Sequence, residues 1–164
     1  MDREITMAEL REMRYLEQCI KESLRLYPSI QLVGRHLSEP LILPDGKKIS
    51  AGSTCYIPLI FLHQDPAHFP EPDRFNPDRF APDRKLSNQY AFIPFSSGPR
   101  NCIGQRYAIL ELKYVLAAIF RKYQVRSRTT REDILKGIAP ILKPLTKIEV
   151  AFEPIDINNN DVHL

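Results

Sequence analysis

The sequence predicts a mixed α+β domain, with a long helix towards each end and short strands and an ordered coil between them. Three observations carry that prediction. Apolar residues recur at helical spacing in two stretches, one before Pro28 and one after Cys102. Ten of the 14 prolines fall between Pro40 and Pro99, where helix interiors and central strands are thereby excluded. Short apolar, partly β-branched runs bracket Pro44-Asp45-Gly46, a turn-forming triplet.

Each element follows in order. Thr6-Met7-Ala8-Glu9 has the pattern of a capping box, so a helix begins there. Met13, Leu16, Ile20, Leu24 and Tyr27 recur at three or four residues and mark one buried face of a single helix over 6–27. Pro28 ends it, because the residue before a proline is pushed out of the α region. Glu22 and Arg25 lie opposite that stripe and read, on periodicity, as a solvated i,i+3 pair worth a few tenths of a kcal/mol. Residues 30–58 read as short strands, with Leu41-Ile42-Leu43 and Lys48-Ile49-Ser50 as a hairpin and Thr54 to Pro58 as a further run. Leu59 to Gln64 suits one or two helical turns. Over 65–101 neither period is sustained. Phe69, Phe75, Phe80, Tyr90, Phe92 and Phe95 are nevertheless too apolar to leave in water, so the coil packs by its aromatics. A second helix runs over 103–121. It is apolar nearly all round, which predicts deep burial. In 122–154, Tyr123 to Arg126 and Lys147 to Phe152 read as strands, with Pro140 and Pro144 between them. The polar tail 155–164 frays.

At 164 residues the chain suits one domain rather than two. Lys plus Arg is 23 against 20 for Asp plus Glu, a net charge of +3 that gives no nucleic-acid footprint. The longest clean apolar run is Val115 to Phe120, too short to cross a bilayer. Met1-Asp2-Arg3-Glu4 lacks the apolar core of a signal segment. Cys19, Cys55 and Cys102 are odd in number and far apart, which argues for a reducing compartment over a disulfide framework.

The chemistry concentrates in Phe95-Ser-Ser-Gly98-Pro-Arg100-Asn-Cys102-Ile-Gly104. A cysteine at the start of a helix meets unpaired N–H groups and the positive end of the dipole, which favour an anion. Gly98 permits a turn other residues resist, and Gly104 leaves room beside the sulfur. Arg100 adds a permanent cation. Three readings of Cys102 stay open on spacing alone. It could be a small core residue, a nucleophile served by His63 or His68, or a thiolate ligand of a planar metal macrocycle with acidic arms, such as haem. Zinc is disfavoured, because no second cysteine lies two to four residues away.

The segment Phe95-x-x-Gly98-x-Arg100-x-Cys102-x-Gly104 resembles the haem-binding loop of the cytochrome P-450 monooxygenases without a departure. Glu22-Ser23-Leu24-Arg25 is similar to that family's Glu-x-x-Arg motif, and Pro77-Asp78-Arg79-Phe80 to its Pro-x-Arg-Phe segment. The likeness runs from about Thr6 to Pro154, and the wording from Phe92 to Gln105 is most similar to the fourth family. The resemblance implies a mainly helical α+β cytochrome P-450 fold, of which this chain is the C-terminal third. It implies haem b, with Cys102 as the axial thiolate whose electron push favours O–O cleavage. Arg100 and Arg35 pair the propionates, and Phe95 packs beside the sulfur. Glu22, Arg25 and Arg79 form a buried ion network, against the periodicity reading. Ile30, Leu32, Val33, Ile138 and Ile141 are the residues that line a substrate pocket by family position.

The implied parent inserts one oxygen atom of O2 into a lipophilic, fatty-acid-like substrate. Its electrons come from NADPH through a separate flavoprotein reductase, at the cytoplasmic face of the endoplasmic reticulum membrane. Family members are far longer than 164 residues. Their N-terminal membrane anchor and their oxygen-activating helix, with its acidic-Thr pair, are not in this sequence. Isolated turnover is therefore not expected, and a non-catalytic haem-binding or structural piece is the alternative. The remaining features read plainly. Cys19 and Cys55 are small core residues, and His63 and His68 are hydrogen-bonded coil residues. Arg121, Lys122, Arg126, Arg128 and Arg131, with Arg106 and Lys113, form a solvent-facing cluster that could attract an acidic electron donor.

Overall fold

Thr6 opens the first helix as its spacing predicts. Its Oγ1 accepts the Glu9 N–H at 3.3 Å, and the Glu9 carboxylate accepts the Thr6 N–H at 2.8 Å. The computed structural model describes residues 3–134, 136–137 and 141–155. The expected single helix is two: α1 (Met7–Glu12) and α2 (Arg14–Leu26), parted where Met13 turns to ψ 66°. The apolar period runs straight through Met13, so spacing alone joins what the backbone divides. Tyr27 and Pro28 end α2 as expected.

α2 buries two opposite faces. Ile20 is 4% exposed on the side towards α4 (Gln105–Phe120). Glu22 and Arg25 are fully buried on the side packed against a 3-10 turn, Pro77–Phe80. The solvated-pair reading is therefore wrong. Of the stripe, Ile20 is buried in the core, while Leu16 and Leu24 are half-buried and line a groove with Leu112, Leu116 and Phe120.

The β elements are small antiparallel pairs. β1 (Leu32–His36) pairs with β4 (Thr54–Pro58), aligning Arg35 with Cys55. β2 (Leu41–Ile42) and β3 (Lys48–Ile49) form the expected hairpin, with Leu41 opposite Ile49 and Gly46 at φ 82° in its turn. α3 (Leu59–Leu62) is the single helical turn. β5 (Tyr123–Ser127) pairs with β8 (Val150–Pro154), which starts later than Lys147. β6 (Lys136–Gly137) pairs with β7 (Lys143–Pro144), and Ile30 bridges Ile141. The expected fray at Asn158 to Asn160 and the pocket residue Ile138 lie outside the described residues.

The coil over 65–101 is ordered by its aromatics, as predicted. Phe69 is 1% exposed, and the Phe80 and Phe92 rings pack at a tilt of 50° with centroids 4.6 Å apart. Phe75 and Tyr90 differ, staying about half exposed at 48% and 55%.

α4 departs most from expectation. It starts at Gln105 because Gly104 is its N-cap, and only Lys113 and Ala117 are buried on it. Tyr107, Tyr114 and Val115 face outward. α4 packs on α1, α2 and β5.

Candidate functional site

Two neighbouring assemblies hold the motif residues: an open loop around Cys102 and a buried ion cluster beneath it. The loop is a set of tight turns. The Ser96 N–H donates to the Ile93 carbonyl at 2.9 Å, Asn101 N–H to the Gly98 carbonyl at 3.1 Å, and Cys102 N–H to the Phe95 carbonyl at 2.9 Å. Gly98 sits at φ 84° and Ser96 at φ 63°. Gly98 is thus required by its backbone, and open space lies where its Cβ would be. Gly104 is not left-handed; a Cβ there would lie 3.9 Å from the Cys102 sulfur. Cys102 itself is exposed and stands just ahead of α4.

The Cys102 sulfur opens on a cavity of about 370 Å³. Leu24, Ile30, Val33, Leu59 and Phe95 supply apolar walls, and Arg100 supplies a cation at the loop. Arg35 reaches the same loop from β1, with Nη2 donating to Ser96 Oγ at 2.8 Å. Leu32 lies outside that cavity. It alternates with Val33 along β1, is 47% exposed, and is not among the cavity walls. Ile141 is tied to Ile30 by its bridge but remains 53% exposed.

Beneath the loop, Glu22 accepts from Arg25 through both oxygens, at 2.7 Å from Nε and 2.9 Å from Nη2. Arg79 Nε approaches Glu22 at 3.4 Å, and the Asn76 N–H donates to it at 2.8 Å. Arg25 also donates to the carbonyls of His63 at 3.1 Å and Pro72 at 2.7 Å, and lies over the Phe69 ring at 5.2 Å. Arg79 donates to the Glu71 carbonyl at 2.8 Å. The three charges thus bind α2 to the coil through side chain and main chain together. That is what lets them be buried.

Neither histidine serves Cys102. His63 is fully buried, and its Nε2 accepts the Ile93 N–H at 3.0 Å. Burial, and more weakly Arg25, hold its pKa down at about 4, against the Leu24 carbonyl, which raises it. His68 Nδ1 lies 3.1 Å from Ser87 Oγ. A cysteine–histidine nucleophile has no geometry here.

Sequence reasoning missed several contacts. It placed Lys113 on the basic surface, yet that side chain is 3% exposed and donates to Glu17 at 3.1 Å. Lys21 first, and Lys113 with it, hold the Glu17 carboxyl below the usual range. A lysine inside an apolar helix run was the available signal. Arg126 pairs with Glu153, and Arg131 lies over Tyr27 and donates to the Asp73 carbonyl, so the basic cluster is partly engaged. Cys19 and Cys55 are half-buried, not core.

The comparisons with known proteins converge. The family profile described as cytochrome P-450 matches residues 1–152. Cytochrome P-450 4c3 of Drosophila melanogaster is 44% identical over 92% of this chain and 28% of its own length. Cytochrome P-450 4c21 of Blattella germanica is 46% identical over 93% of this chain and 30% of its own. The retinoic-acid-bound cyanobacterial CYP120A1 superposes with a TM-score of 0.83 at 27% identity, covering 93% of this chain and 35% of that one. The chain thus spans less than a third of the length of these curated relatives. An intact cysteine loop, a Glu-Arg-Arg cluster packed beneath it, and a match over nearly every residue leave one assignment: the chain belongs to the cytochrome P-450 superfamily, in its fourth family.

Proposed function

We propose that this chain is the thiolate side of a haem monooxygenase and that Cys102 is the axial ligand of haem b. The observation that carries the reading is the exposed Cys102 sulfur opening on an apolar cavity with Arg100 at its edge. The donor set fits the group. Leu24, Val33 and Leu59 suit a flat apolar ring, and Gly98 and Gly104 keep side chains off the loop on either side of Cys102. Among the described residues no carboxylate pairs Arg100, which is left to meet a propionate. Arg35 meets the second, oriented by Ser96. Phe95 lies beside the sulfur and limits water there.

When bound, haem supplies the activation of O2, by which one oxygen atom enters the substrate and the other leaves as water. The chain's own residues hold that group and shape one wall of its surroundings. Ile30 and Val33 face a lipophilic, fatty-acid-like substrate. Electrons arrive from NADPH through a flavoprotein reductase, at the cytoplasmic face of the endoplasmic reticulum. Among the described residues no helix is long and apolar enough to cross a membrane.

A second reading, a haem-binding piece without turnover, is favoured by the coverage of under a third of the relatives. The deciding measurement is the absorption spectrum of the purified chain after haem addition, reduction and exposure to carbon monoxide. A strongly red-shifted Soret band, lost in Cys102→Ala, is expected. An unshifted band in the unmodified chain would overturn the assignment of the ligand. Turnover with reductase and NADPH then separates the two readings.

A further inference from the structure

His63 is the described residue bonded both to the ion cluster and to the strand of coil that leads into the cysteine loop. Its main-chain carbonyl accepts from Arg25 Nη1 at 3.1 Å, and its ring Nε2 accepts the Ile93 N–H at 3.0 Å. Ile93 in turn accepts the Ser96 N–H, and Phe95 accepts the Cys102 N–H. We infer that His63 is the positioning residue of the cysteine loop, and that its neutral ring is the contact through which Arg25 fixes the path of residues 93–96.

Nε2 must carry a lone pair to accept from Ile93, so Nδ1 carries the proton. Nδ1 makes no full hydrogen bond among the described residues, although the Leu24 carbonyl of α2 acts on it. Phe92 packs against the ring with centroids 5.2 Å apart. The charge that acts on the ring is that of Arg25, which is paired with Glu22, itself shared with Arg79. No carboxylate is left over to welcome an imidazolium. Protonation turns the acceptor into a donor aimed at another donor, and the bond to Ile93 is lost. The burial that depresses the ring's pKa acts in the same sense.

The inference is independent of haem, and its test reads the apo chain. Amide exchange is followed at Ile93 in the 164-residue chain, with α4 amides as the internal control and intrinsic rates divided out. Opening frees the ring to take a proton. Ile93 exchange should therefore rise about fivefold between pH 6.5 and pH 5.5, while staying less protected than the most protected α4 amides. His63→Gln keeps an acceptor near the Nε2 position and cannot titrate, so Ile93 stays protected with a flat pH profile. His63→Phe keeps a ring and loses the acceptor, so Ile93 exchanges about tenfold faster even at neutral pH. Three results overturn the inference. Ile93 protection could survive in His63→Phe. The His63→Gln profile could follow that of the unmodified chain. Or Ile93 could be as strongly protected as the most protected α4 amides at both pH values, so that it opens only by global unfolding and marks no local positioning. Should His63→Phe not fold, the comparison with His63→Gln still decides.

Discussion

Glu22 is the residue on which the ion cluster depends, because it alone carries negative charge against Arg25 and Arg79. Glu22→Ala strands a fully buried guanidinium and should cost about 3–5 kcal/mol, read as a lowered urea midpoint. A loss below ~1 kcal/mol, the surface-pair value, would show that the cluster is solvated after all. This pair was illegible to periodicity, which counts apolar positions only. What buries it is a set of main-chain partners, the Asn76 N–H and the carbonyls of His63 and Pro72, brought up by a coil with no pattern of its own. The motif resemblance found it where spacing did not. His63 gives the matching pH prediction. Its pKa is about 4 folded and 6.5 unfolded, so the unfolded chain binds more protons between those values. Stability is therefore whole above pH 6.5 and falls by as much as ~3 kcal/mol as pH drops towards 4. His63→Gln should remove that part of the acid sensitivity in denaturation curves taken at pH 7 and pH 5. Equal slopes in the two proteins would dismiss it.

Between elements, the contact that spacing could not show is Lys113 of α4 with Glu17 of α2. Lys113 sits in an otherwise apolar helix face and is 3% exposed, while Glu17 keeps 35% of its side chain in water and shares itself with Lys21. Glu17→Gln leaves the lysine without its charge partner, and a loss of about 1–3 kcal/mol is expected in the denaturant midpoint. Lys113→Met replaces the charge with a flexible apolar chain of similar length. It should be neutral or stabilising, since a buried charge is seldom worth its desolvation. Strong destabilisation by Lys113→Met would mean that the pair holds the two helices in register. The elements themselves were largely legible. The capping box, the hairpin about Gly46, the strand Thr54–Pro58 and the turn after it follow from local chemistry that neighbours reinforce. The break at Met13 was not, because the apolar period crosses it. The exposure of α4 was not either, because composition reports what a helix can bury and not what is there to cover it.

On the scale of the whole chain, the superfamily and the fold were readable from three short motifs, and the fold match confirms them at a TM-score of 0.83. The stability of the chain was not readable, because it depends on packing that motifs do not describe. Among the described residues, seven buried apolar side chains, including Leu26, Leu59 and Phe69, make the core, while Tyr107, Leu112, Val115, Phe120 and Phe152 stand at least a third exposed. A core so small leaves a modest margin for folding. A group that binds only the folded chain then becomes a large part of that margin. At a hundredfold excess over its dissociation constant, haem adds about 2.7 kcal/mol by mass action. The thermal midpoint of the chain should therefore climb with haem concentration, and Cys102→Ala should flatten that dependence. Glu22→Ala should lower the midpoint with and without haem, since the cluster lies beneath the loop and not at the sulfur. This contrast separates a residue that holds the group from one that holds the fold. A midpoint that rises equally in Cys102→Ala would place the haem on an exposed apolar face, and the cysteine loop would then be an intact motif without its ligand.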